Sequence, residues 1–180
     1  MATALDNVNP VVRERETVRR KEEGGGGGGG GTSPFATKDA LVQQVGQLAS
    51  DEREPVDAIE VFEHIRDIAD PEHPYSLEQL GVVSHQSIKV DDHKGTIEVL
   101  FTPTVAHCSM ATLIGLCIRT KIMRVLPPRF KVRIELSKGS HNTEDAVNKQ
   151  LNDKERVLAA LENPNLLQLV NKCLAPTEFE

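Results

Sequence analysis

Cysteine is scarce and poorly placed for cross-linking: three residues, an odd number, are spread over a chain of 180. That leaves no disulfide framework and favours a reducing cytosolic or nuclear compartment. No Cys-x-x-Cys occurs, and three thiols are too few for the four thiolates that hold a cluster. Positive charge is in deficit as well. With 21 basic against 27 acidic side chains and a formal net charge of −6, the chain lacks the basic face of a dedicated DNA- or RNA-binding domain. An apolar leader is missing too, because Met1 to Glu23 is charged throughout. One uncharged run, Val99 to Ile118, has the length to cross a bilayer. It contains Thr102, Pro103, Thr104, His107, Ser109 and Thr112, and its start alternates like a strand. It reads as a strand end, a loop and a buried helix in a soluble intracellular protein with no membrane partner. Familiar catalytic and metal signatures are also absent. The glycines Gly24 to Gly31 lack a following Gly-Lys-Ser/Thr, no Gly-x-Ser-x-Gly elbow appears, and no two histidines have zinc-finger or His-Glu-x-x-His spacing.

What is present divides in two. The length fits one domain of about 100–150 residues plus a tail. Residues 1–56 read as a disordered tail. Arg13 to Glu23 mixes five basic and four acidic residues with little to bury, the glycine run follows, and Thr37 to Ala49 offers one short amphipathic helix through Leu41, Val45 and Leu48. Residues 57–175 carry the patterns of a folded domain, and 176–180 form a C-terminal tail. Ile59, Phe62, Ile65 and Ile68 predict a helix over Asp57–Ala69, broken by Asp70-Pro71-Glu72-His73-Pro74. Ser76 with Gln79 resembles a capping box on a single turn, Leu77–Leu80. Strands are predicted over Val82–Val90 and Thr96–Thr102, flanking the turn Asp91–Gly95. A helix over Ser109–Leu126 stops at Pro127-Pro128, and Phe130, Val132, Ile134 and Leu136 alternate through a third strand. Thr143 caps a helix running from Glu144 through Leu161, and Asn163-Pro164 opens a last helix to Leu174. The expected fold class is α+β: a small mixed sheet, a hairpin plus a third strand, packed by helices.

The chemistry concentrates on Cys108. It lies between a strand and the start of a helix, where the helix dipole and unpaired backbone N–H groups favour thiolate. His107 beside it adds positive charge or a metal ligand. The competing reading is a small apolar residue packed under the loop. Cys117, nine residues on, falls on the opposite side of the helix and reads as core, while Cys173 reads as packing or half-exposed surface. Glu72 and His73 share the Asp-Pro-Glu-His-Pro turn, and His141 lies in the loop after the third strand. The basic helix end Arg119–Arg124 and the segment Asn148–Arg156 stand as exposed surfaces for partners. Three functional readings follow: a non-enzymatic assembly factor using Cys108, a cysteine-nucleophile enzyme with His107 or His141 as base, and a structural adaptor in which Cys108 is inert.

A longer pattern separates them. His107-Cys108-Ser109-Met110-Ala111-Thr112-Leu113-Ile114-Gly115-Leu116 resembles the hallmark of the small, MIP18-type subunit of the eukaryotic cytosolic iron–sulfur protein assembly targeting complex. The turn Asp70–Pro74 matches as well, as does the stretch from Val147-Asn148-Lys149-Gln150-Leu151 through Asp153-Lys154-Glu155-Arg156-Val157 to Ala159-Ala160-Leu161-Glu162-Asn163. Together they span about residues 57–175 in family order and leave the glycine-rich tail outside. The resemblance implies a compact α+β domain related to a bacterial iron–sulfur maturation factor. It implies a late, non-enzymatic role in handing [4Fe–4S] clusters to cytosolic and nuclear apoproteins, and so an indirect link to genome maintenance and chromosome segregation. The implied partners are a WD-repeat propeller protein, a helical-repeat scaffold and apo iron–sulfur clients, with a homodimer left open and no direct nucleic acid. The family's reactive cysteine falls on Cys108, which the resemblance makes a site of transient cluster or client contact without a stably bound cofactor. His107, Glu72, His73 and His141 are its auxiliary candidates.

Overall fold

The computed structural model describes residues 10–18, 55–105 and 110–177. Most of the predicted tail, including the helix predicted over Thr37–Ala49, lies outside the described residues.

Helix α1 spans Ala58–Ile65. Asp57 caps it, its Oδ1 accepting the Glu60 N–H at 2.7 Å, and Val61, Phe62 and Ile65 face the core. It ends earlier than its apolar periodicity predicts. The Ala69 N–H donates to the Cys173 carbonyl (2.9 Å) and the Asp70 N–H to the Tyr75 carbonyl (2.9 Å), so these groups serve a link to the C-terminal segment and a turn, and not another helical step. Ser76 and Gln79 cap one another across the next turn, the Ser76 N–H donating to Gln79 Oε1 and the Gln79 N–H to Ser76 Oγ.

The hairpin is shorter than predicted. Strand β1 is only Ile88–Asp91, preceded by a 3-10 turn at His85–Ser87. Gly81, at φ +66°, bends the chain first, and Ser84 and Ser87 then exchange side-chain and backbone hydrogen bonds that hold the 3-10 turn. Strand β2, Thr96–Phe101, pairs antiparallel with β1 and buries Ile97, Val99 and Phe101 on one face. Helix α2, Met110–Val125, crosses over to β3, Lys131–Leu136, which runs parallel to β2 with Thr96 opposite Lys131 and Phe101 opposite Leu136. The sheet order is β1-β2-β3, the mixed sheet expected.

Three helices close the domain: α3 (Glu144–Asn152), α4 (Lys154–Glu162) and α5 (Pro164–Leu174). The single helix predicted through Leu161 is split at Asp153, whose backbone is extended (φ −84°, ψ 110°) and whose carboxylate accepts from the N–H groups of Glu155 and Arg156. Thr143 precedes α3 without capping it through its side chain; its N–H instead donates to His141 Nδ1 at 3.1 Å. Asn163 caps α5, and Pro164 opens it as predicted. One turn apart on α3, Asn148 Oδ1 accepts the Leu136 N–H (2.8 Å), while the Asn152 amide accepts from Ile134 N–H (3.1 Å) and donates to Ile134 O (2.9 Å).

Part of the predicted tail belongs to the domain. Residues 10–18 have no regular structure, but the Arg13 N–H donates to the Gln79 carbonyl (2.7 Å) and the Glu16 N–H to Glu78 Oε1 (2.6 Å). Arg15 pairs with Asp67 at 2.7 Å. Beneath them Arg66 and Glu78 form a buried two-pronged pair (2.9 and 2.7 Å), and Arg66 Nη2 also donates to the Glu16 carbonyl. Composition reads these charges as solvated; complementary groups on the domain engage them instead.

Candidate functional site

The parallel strands β2 and β3 end side by side, and the loops that leave them meet. Ser137 N–H donates to the Phe101 carbonyl (2.8 Å), and the Thr102 and Ser137 hydroxyls lie 2.9 Å apart. Crevices beyond the carboxyl ends of parallel strands are where open α/β sheets bind ligands. The chain leaves this end through residues 102–105 and resumes at Met110, the first residue of α2. His107 and Cys108 lie outside the described residues, between those two points. Among the described residues, the first turn of α2 holds no acidic side chain.

His141 stands on the second loop at this end of the sheet. It is buried, and its Nδ1 accepts the Thr143 N–H, which places the ring proton on Nε2 when the ring is neutral. Glu72 and His73 are elsewhere. Asp70 Oδ1 accepts the N–H groups of Glu72 (2.8 Å) and His73 (2.9 Å), folding the Asp-Pro-Glu-His-Pro segment into a tight turn. That turn walls a cavity of about 380 Å³ with Leu169, Lys172 and Cys173. The structure therefore brings Glu72 and His73 together and gives His141 a different cavity. Among the described residues, no three His, Cys, Asp or Glu side chains are arranged to hold a metal ion.

Two features of this region were not legible beforehand. Cys117 and Cys173 are both buried and hydrogen-bonded to each other, so Cys173 is core and not half-exposed surface. The hydrogen bond with Cys173, together with burial, pushes the Cys117 thiol far up, while the same bond draws Cys173 down. Asp70 Oδ2 nearby is buried without a hydrogen-bond partner among the described residues. No spacing rule connects positions so distant in the chain. A correction also falls on the basic end of α2: Arg119 and Lys121 are buried, and only Arg124 of the three is exposed. Lys121 Nζ donates to the Thr177 carbonyl at 2.8 Å, which tethers residue 177 of the predicted C-terminal tail to the domain. No helix among the described residues is long and apolar enough to cross a membrane.

Comparison with known proteins adds to this geometry. Residues 59–136 match the family model described as iron–sulfur cluster assembly protein, a span that includes the whole sheet and α2. The chain is 62% identical to Protein AE7 of Arabidopsis thaliana over 125 residues, 69% of this chain and 80% of the plant protein. It is 58% identical to cytosolic iron–sulfur assembly component 2B of Mus musculus over 120 residues, 67% of this chain and 74% of the mouse protein. It is 56% identical to MIP18 family protein galla-2 of Drosophila melanogaster over 122 residues, 68% of this chain and 78% of the fly protein.

Proposed function

This chain belongs to the MIP18 family of iron–sulfur cluster assembly proteins, and on that premise we propose that it is a non-enzymatic component of the cytosolic machinery that transfers [4Fe–4S] clusters to cytosolic and nuclear apoproteins. The cluster is cargo here, not a resident cofactor. Cys108 makes transient contact with cluster or client. His107 stands next to it in sequence, and His141 occupies the loop beside the strand end from which that segment departs. Glu72 and His73 serve through the separate Asp70 turn. The partners are the WD-repeat propeller protein and helical-repeat scaffold of a targeting complex, together with the apo clients. Maturation of nuclear clients connects the chain indirectly to genome maintenance and chromosome segregation.

One observation carries the reading: the family match over residues 59–136 includes Cys108 and both β2 and α2, the elements that flank it in sequence. Handover also favours a weak site, since four tight thiolates would release a cluster slowly. The test is a Cys108→Ala strain. Affinity purification should recover the same assembly partners as wild type, while radio-iron incorporation into a client falls several-fold. Normal iron loading would remove Cys108 from the mechanism. Thiol-dependent turnover of a small substrate, with competition at Cys108, would replace the assembly reading with a cysteine-nucleophile enzyme.

A further inference from the structure

Arg119 carries a charge into the packed side of α2. It is only 6% exposed, and no acidic side chain pairs with it among the described residues. Its Nη1 donates to the carbonyls of Val132 (3.2 Å) and Leu151 (2.9 Å), whereas Nε is buried with no acceptor among the described residues. A guanidinium taken from water without a counter-ion is costly, and an anion delivered to it recovers part of that cost. Its positive charge lies beside an open space. Arg119 lines a cavity of about 560 Å³ bounded by the end of α2, the start of β3 and α4.

The rest of the cavity has one chemical character. Lys131 and Lys154 stand exposed at its rim and form no ion pair among the described residues. Among the described residues no Asp or Glu lines it, although the chain as a whole carries a net charge of −6. Between the charges the lip is aliphatic: Met123 is 54% exposed and Leu158 57%. The one aromatic wall, Phe130, already carries the Arg129 guanidinium over its ring at 3.9 Å, so it offers no face for a stacking base. Planar guanidinium, flanking ammonium groups and exposed aliphatic side chains suit a carboxylate with apolar neighbours.

We propose that this cavity docks a short acidic–apolar peptide segment of a partner protein. Glu or Asp carboxylates of the segment meet Lys131 and Lys154 in the positive field of Arg119, and its apolar neighbours cover Met123 and Leu158. The proposal does not depend on the role given to Cys108.

The experiment uses the full chain immobilised against a random heptapeptide display library. Retained peptides should be enriched in Asp or Glu beside Leu, Ile, Met or Phe. A fluorescein-labelled retained peptide should lose about tenfold or more in affinity when its acid becomes the amide, or when the protein carries Lys131→Glu with Lys154→Glu. These two side chains are exposed, so the double variant should melt with the wild type. Absence of acid enrichment, or equal retention by the charge-reversed protein, overturns the proposal. So does a labelled oligothymidylate whose binding shows the same charge sensitivity while acidic peptides are not enriched, because the site would then be one for nucleic acid.

Discussion

Gly115 lies where α2 meets α3, and a Cβ there would fall 2.4 and 2.8 Å from the two methyls of Leu151, a side chain with no exposed surface. Overpacking of this kind costs about 1–3 kcal/mol, against a gain of up to about 1 kcal/mol for replacing a helical glycine by alanine. Gly115→Ala should therefore lower stability by about 1 kcal/mol in urea titration, and a stabilised variant would show that Leu151 can yield. His64 offers a test through pH. Burial holds its ring below the ordinary histidine range, with Lys121 adding repulsion, and Glu60 and Glu63 do not offset this. The unfolded chain carries a histidine of ordinary affinity, near 6.5. Above that pH both states are neutral and the ring contributes no pH dependence. As pH falls through it, the unfolded state takes the proton more readily and stability drops. Between pH 7.5 and 5.5 the wild-type melting temperature should fall more steeply than that of His64→Gln, and equal slopes would refute the assignment. Neither residue announces these roles in the sequence, because Gly115 is marked by what α3 places opposite it and His64 by how deeply α1 sinks.

The helices show which local signals carry through to structure. Asn163-Pro164 is decisive in both sequence and fold, because the side-chain cap and the fixed proline φ act on the same turn. Asp153 is equally decisive in the structure but invisible to periodicity, since Val147, Leu151 and Val157 stay buried on both sides of the break. The β1 prediction overran for a related reason. Val82 and Val83 are buried like strand residues, yet a positive-φ glycine and two serines divert the backbone. Asn152 ties α3 to β3 through both backbone groups of Ile134, which is itself wholly buried. Asn152→Ala leaves that pair without partners, and a loss of about 1–3 kcal/mol is expected from the urea midpoint. A neutral outcome would mean that water takes over both groups.

At the scale of the molecule, the α+β class and the mixed sheet were legible because hairpin, crossover helix and third strand each carry their own period and punctuation. The assembly of the site was not. Cys117 and Cys173 meet through folding alone, and the Asp70 turn joins the C-terminal helix through a backbone bond that no side-chain pattern encodes. The attachment of residues 10–18 was hidden by their charge, which composition equates with solvation. Deleting residues 1–18 removes the hydrogen bonds to Gln79 and Glu78 and opens the Arg66–Glu78 pair to water. With net values of about 0.5–1.5 kcal/mol per bond, calorimetry should show a melting temperature lower by several degrees; an unchanged value would return the segment to the tail. The amides of Asn148 and Asn152 have a different consequence at this scale. They occupy the outer rim of β3 at Ile134 and Leu136, so there the sheet offers no template on which another chain could add a strand of its own. The chain is thereby kept from polymerising along that rim, and recognition there falls to side chains.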